Sequence, residues 1–317
     1  MIDFSPTKRP TLTFEIFPPK GQHGLDSIFS TVDALASLAP DLISVTYGAG
    51  GTSRDNTVEI ASEIQNSYNI PAVAHLTCVG STKEQMDGIL SELKKRGVKN
   101  ILALRGDLAD GDSTGDFKYA SELISFIKAR YDFKIFAACY PEKHLEAYSL
   151  EEDLQRLREK TECGADFLIS QLFFDNNLFY DFREMARECG INIPIIAGIM
   201  PITSPSQITR MVSMCGASVP EKVQRIIRAY GHNSMAMKEA GVAAYAWVNA
   251  TTFERSGVTT IASMITSYFP ALSPAIMPSQ FCTTSLHSIC IRWHKFAISS
   301  GSKPLSFPPG SVRFQGS

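Results

Sequence analysis

The sequence predicts a (β/α)8 TIM barrel whose eighth strand–helix unit is absent or degenerate. Three observations carry this. Seven short apolar runs alternate with helical patterns in units of about 30 residues, as parallel strands with helical crossovers do. No Gly-x-Gly-x-x-Gly follows the first strand, which removes the main support for an open dinucleotide-binding sheet. Each strand from the first to the sixth ends in at least one polar group, the way a barrel assembles a site.

The elements follow in order. Thr11 to Phe17 is β-rich and stops at Pro18 and Pro19, which cannot donate to a ladder. Leu25 to Leu38 has helical apolar spacing, and Leu42 to Tyr47 is the second strand. Ser53 or Thr52 caps a helix from about Arg54 to Tyr68. Pro71 to Cys78 is the third strand, and Ser81 or Thr82 opens a helix reaching Arg96, with Gly97 as its C-cap. Ile101 to Leu104 is apolar without alternation, as suits a strand buried on both faces, and it halts at Arg105-Gly106-Asp107. A helix over Tyr119–Arg130 precedes a fifth strand over Lys134–Tyr140. Ser149 and Glu152 have capping-box spacing for a helix running to Cys163. Phe167 to Phe173 and Pro194 to Met200 are the sixth and seventh strands, with a helix from Asn177 to Cys189 between them. Helical segments run from Ser206 to Met214 and from Pro220 to Ala229. From about Met237 the pattern deteriorates. Ile261 to Phe269 is apolar, but prolines follow closely and no strand comparable to the first seven stands out. The reading is therefore a barrel domain over 1–245 and a Ser/Thr/Pro-rich, poorly ordered tail over 246–317. Seven strands alone expose two edges, so a partner copy or the tail would have to cover the gap.

Composition narrows the function classes. Net charge is −2 over 317 residues, so no global field attracts nucleic acid or an acidic membrane. Seven scattered cysteines without a Cys-x-x-Cys pair fit reduced thiols better than a zinc site or a disulfide framework. The N-terminus lacks the basic and apolar regions of a secretory signal, and no apolar span is long enough to cross a bilayer. The expectation is a cytoplasmic protein with no nucleic-acid or membrane partner.

The polar strand ends are Glu15, Thr46, Tyr47, His75, Thr77, Arg105, Asp107, Tyr140, His144 and Gln171. Singly, each is more often structural: His75 a core histidine, Glu15 a buried ion-pair partner for Arg105, Arg105 and Asp107 solvated loop charges. Together they read as one functional face. The set holds no His-x-His pair or carboxylate cluster suited to a metal, and no Gly-x-Ser-x-Gly elbow. A desolvated Glu15 has the makings of a general acid. Arg105 with the backbone around Gly106 suits a phosphate, and Arg156, Arg158 and Lys160 on the next helix either extend that anionic site or form a solvated face. The residues alone point to a ligand with phosphate and ring parts.

Six stretches then carry a resemblance: Phe14-Glu15-Ile16-Phe17-Pro18-Pro19-Lys20, Ser44 to Ala49, Ala74 to Cys78, Leu104 to Asp107, Tyr140-Pro141-Glu142-Lys143-His144, and Gln171 to Asp175. In order and spacing they resemble the methylenetetrahydrofolate reductase family of the bacterial, single-domain type, over roughly residues 10–240. The resemblance implies a TIM barrel holding FAD non-covalently and reducing 5,10-methylenetetrahydrofolate to 5-methyltetrahydrofolate with NADH or NADPH, in a ping-pong hydride transfer through the flavin. It implies that Glu15 is the general acid, that Asp107 lies by flavin and pterin, and that Gln171 contacts folate. Flavin contacts fall on Thr46, His75, Arg105, Gly106, Asp107, Tyr119, Ala120, Tyr140, His144, Asp153, Arg156 and Lys160. A homo-oligomer is expected. After Tyr245 the chain departs from the family's last strand, which carries a substrate-contacting arginine. An inactive relative with a defective barrel end, or another barrel enzyme acting on a phosphorylated metabolite, are the alternatives.

Overall fold

The computed structural model describes residues 11–19, 25–47, 51–107, 115–242, 244 and 260–264, with the backbone alone for 51–55 and 260–264. Eight parallel strands close into a barrel in chain order. The first half runs β1 (Thr11–Ile16), α1 (Leu25–Ala36), β2 (Leu42–Val45), α2 (Gly51–Asn66), β3 (Ala72–Thr77), α3 (Lys83–Lys95), β4 (Asn100–Leu104) and α4 (Ala120–Lys128). The second half runs β5 (Lys134–Cys139), α5 (Leu150–Glu162), β6 (Phe167–Ser170), α6 (Asn176–Glu188), β7 (Ile195–Ile199), α7 (Pro205–Cys215), α8 (Glu221–Tyr230) and β8 (Thr260–Met264).

The first seven strands and the helices between them fall where the pattern places them. The eighth unit resolves the choice between absent and degenerate: β8 is present, five residues long, and pairs with both β1 and β7. It lies past residue 245, so the barrel takes in part of what the sequence assigned to the tail. With β8 in place the sheet has no free edge, and the case for association drawn from an exposed gap falls away. The expected poorly ordered stretch lies, after residue 264, outside the described residues.

Helix ends show which local signals act. Thr82 and Gln85 form a complete capping box at α3, and Gly97 follows the last turn at φ +80°, as a terminating glycine does. Ser149 caps α5 through the Glu152 amide, but the Glu152 carboxylate accepts from the Tyr148 N–H at 3.0 Å rather than from Ser149. The helix after β2 begins at Gly51, so Thr52 and Ser53 stand inside its first turn and do not precede it as caps.

Alternation along the strands divides the core in two. Ile43, Ala74, Leu76, Ile101, Ala103, Ile135, Ala137 and Leu168 pack outward on the helices. Leu42, Val73, Leu102, Phe136, Ile169 and Ile196, one from each of β2 to β7, meet inside the barrel and fill it, so the interior is a packed floor rather than a pore. The strand register then fixes what stands above that floor. Glu15 pairs with Ser44, and His75 with Leu102, all at inward positions. Thr46, Tyr140 and Gln171 share the same parity just beyond their strands. The polar ends therefore come from the fold's alternation: apolar residues hold the lower turns of each strand and polar ones the upper.

Candidate active site

At β1 to β3 the site is dry. Glu15 is 7% exposed and His75 6% exposed. His75 Nε2 lies 3.6 Å from Glu15 Oε2, too far for a hydrogen bond, and has no hydrogen-bond partner among the described residues. Burial raises the Glu15 carboxyl from 4.5 to about 7, with a hydrogen bond from Ser44 pulling the other way. Burial lowers the His75 imidazole to about 3, so it is neutral and the contact is not an ion pair. Glu15 does not pair with Arg105, which corrects the structural alternative read from the sequence.

Arg105 instead binds Glu146, from the loop after β5, through both guanidinium nitrogens, with Nη2 to Oε1 at 2.7 Å. Its Nε donates to the Gly106 carbonyl at 3.0 Å. Gly106 must be glycine: its φ is +88°, and a Cβ there would lie 2.8 Å from Val79 Cγ1 and 3.0 Å from Thr77 Cβ. Beyond that turn Asp107 is exposed.

A third group joins β5 and α5. The Tyr140 and His144 rings meet edge to face at 4.7 Å, and Lys160 Nζ sits 5.9 Å from the Tyr140 ring centre while donating to the Ala138 carbonyl at 3.0 Å. The His144 amide donates to Asp153 at 2.8 Å, tying the loop to α5. Burial pushes the Lys160 ammonium down, with Asp153 opposing, and pushes the Tyr140 hydroxyl up. Arg105, Asp107 and Tyr140 act on one another electrostatically, so these residues form one neighbourhood.

The remaining predicted residues lie around these groups. The Thr46 carbonyl accepts from Thr57, and its amide donates to Ile16 at 2.9 Å. The Gln171 side-chain oxygen accepts from the Leu172 amide at 2.8 Å. Tyr119 is the half-exposed N-cap of α4, with Ala120 buried beside it. Arg156 and Lys118 approach the Tyr119 ring at 5.9 Å and 5.2 Å, while the Arg156 guanidinium pairs with Glu159. Sequence reasoning did not single out Glu146 or Ser44. Glu146 is an ordinary loop acid until the fold brings it to an arginine 41 residues away. Ser44 does have a signal, as a polar residue at an inward position two before Thr46. Among the described residues no group of three His, Cys, Asp or Glu side chains is placed to hold a metal, and no helix is long and apolar enough to cross a membrane.

The family model for methylenetetrahydrofolate reductase matches residues 2–264. The chain belongs to that family. The match runs through β8, so likeness to the family extends beyond Tyr245, where the motifs alone ended it. A probable methylenetetrahydrofolate reductase (NADH) of Oryza sativa subsp. japonica is 36% identical over 250 residues, 74% of this chain and 42% of that protein. The 5,10-methylenetetrahydrofolate reductase of Escherichia coli (strain K12) is 36% identical over 209 residues, 66% of this chain and 70% of that one. The chain thus aligns with less than half the length of its plant relatives in the methylenetetrahydrofolate reductase family. A protein from Clostridium thermocellum described as binding two copies of 5-methyl-5,6,7,8-tetrahydrofolic acid shares the fold, with TM-score 0.58 over 83% of this chain and 91% of that one, at 14% identity.

Proposed function

We propose that this chain is an FAD-dependent reductase that converts 5,10-methylenetetrahydrofolate to 5-methyltetrahydrofolate with NADH or NADPH. The observation that carries the reading is Glu15: a carboxyl buried at an inward position of β1 beside His75, where burial pushes it up to about 7. Opening the folate's five-membered ring needs a proton at the departing nitrogen, and a group titrating near neutrality is matched to that task. Family membership supplies the substrate class.

The chain's own residues fit the cofactor. Arg105, already bidentate to a carboxylate, has the fork geometry a pyrophosphate takes, and Lys160 adds a buried cation. Tyr140, His144 and Tyr119 offer ring faces, and Thr46, Gly106, Ala120, Asp153 and Arg156 would be further contacts of the cofactor. Bound FAD would supply the two-electron hydride chemistry. Asp107 beside the ring system would disfavour negative charge on it, and Gln171 would orient the folate. A cytoplasmic location belongs to the same proposal.

The test is direct. The purified protein should carry flavin absorption and oxidise a reduced nicotinamide with menadione as acceptor, then with 5,10-methylenetetrahydrofolate. A colourless preparation that stays inert after incubation with FAD would overturn the reading.

A further inference from the structure

His75 and Glu15 raise a question that burial alone does not answer. If Glu15 gives up a proton, it becomes a carboxylate in a place with almost no water, and a buried carboxylate needs donors. Ser44 supplies one. His75 Nε2 lies 3.6 Å from Oε2, buried and, among the described residues, without a hydrogen-bond partner. The register holds it there: His75 stands on β3, one strand beyond Ser44 on β2, which itself pairs with Glu15 on β1. Three neighbouring strands thus aim a carboxyl, a hydroxyl and an imidazole at one point.

We propose that His75 is the positioning residue for Glu15: its Nε2–H donates to Oε2 of the carboxylate that forms once the proton has left. The separation closes from 3.6 Å to hydrogen-bond length as charge develops on the oxygen. The imidazole acts as a neutral donor, so no ion pair forms. Oε2 is held by His75, which leaves the other oxygen as the one that carries the proton outward. Among the described residues, burial and Ser44 set Glu15, and burial alone sets His75. Arg105, Asp107, Tyr140, Asp153 and Lys160 act on one another in the separate group above β4 and β5. The role given to His75 rests on the reading of Glu15 as the acid, but its test does not need flavin or folate.

Two measurements on the ligand-free protein test it. Nitrogen-15 NMR of histidine-labelled protein should show His75 as the neutral Nε2–H tautomer on both sides of pH 7; a bare Nε2 would overturn the proposal. Infrared titration of the Glu15 carboxyl, assigned by its loss in Glu15→Gln, should show a midpoint in the parent protein below the value of about 7 that burial and Ser44 set without His75. In His75→Asn, whose amide falls short of Oε2, the midpoint should rise by about one pH unit, a tenfold change in proton affinity. In His75→Gln, whose amide nitrogen reaches the Nε2 position, it should return to the parent value. A purely space-filling histidine would move both variants alike, and equal midpoints in the two would overturn the donor role. Should either variant fail to fold, the tautomer in the parent protein decides. Absence of flavin binding or folate turnover would count against the proposed function and leave these two readouts intact.

Discussion

The two sides of the site are built on opposite principles. At β1 to β3, Glu15 and His75 are buried with almost nothing to compensate them, and both are neutral near pH 6. At β4 to β5, Arg105 keeps its charge because Glu146 faces it, and the Lys160 ammonium is held by the Ala138 carbonyl and by Asp153. An uncompensated group has a shifted proton affinity and so can move a proton. A compensated group keeps its charge and so can bind one. Under the proposed function, the difference gives chemistry to the first side and ligand capture to the second.

The sharpest way to separate them is Glu15→Gln. It should lower folate reduction by about 10²- to 10⁴-fold, the range for a general acid, while leaving reduced-nicotinamide oxidation by menadione unchanged. Equal loss in both half-reactions would erase the division. Next, Arg105→Gln should weaken flavin retention by about 10- to 100-fold, as loss of charge-assisted hydrogen bonds does, with little effect on the rate of the fully loaded enzyme. Fluorescence titration with FAD measures it.

Stability against pH gives a third test, with a definite sign. Glu15 binds its proton more tightly folded than unfolded, so its contribution falls as pH rises from 4.5 to about 7. His75 binds its proton less tightly folded, so its contribution falls as pH drops from 6.5 to about 3. Between pH 4.5 and 6.5 the two slopes oppose and cancel. Glu15→Gln removes one of them, so its denaturation free energy should climb relative to the parent by about 1.4 kcal/mol per pH unit across that window. Urea midpoints at several pH values read it out, and parallel profiles would mean that Glu15 is not desolvated. The smallest effect is expected from Glu146→Gln. Freeing Arg105 from a largely exposed partner should tighten phosphate-ester binding by only a few-fold, because such pairs contribute about 0.2–1 kcal/mol.

Much of this was legible in the chain. The first seven strands announce themselves as apolar runs, the first six followed by polar ends, and alternation alone puts Glu15, His75 and Gln171 on the inner face. β8 was not legible as a strand: Thr260-Ile-Ala-Ser-Met264 is short, carries two hydroxyl residues and has prolines close behind it, and it is specified by pairing with β1 and β7 rather than by local propensity. Glu146 was hidden for a related reason, since its meaning comes from a partner in another β–α loop. Caps divided the same way. The Thr82 cap is local and was one of the two residues the sequence offered, whereas the Glu152 carboxylate chose Tyr148, which only the loop's path decides.

The Arg105–Glu146 pair has a consequence for ionic strength. An empty cationic pocket normally gathers mobile counter-ions, and ligand binding then releases them, so affinity falls steeply as salt is added. Here the pocket carries its own tethered anion. Binding a pyrophosphate exchanges one carboxylate for another anionic group at the same guanidinium, and salt screens both states alike. Affinity at this arginine should therefore be nearly flat with salt in the native protein and should become salt-sensitive only when Glu146 loses its charge.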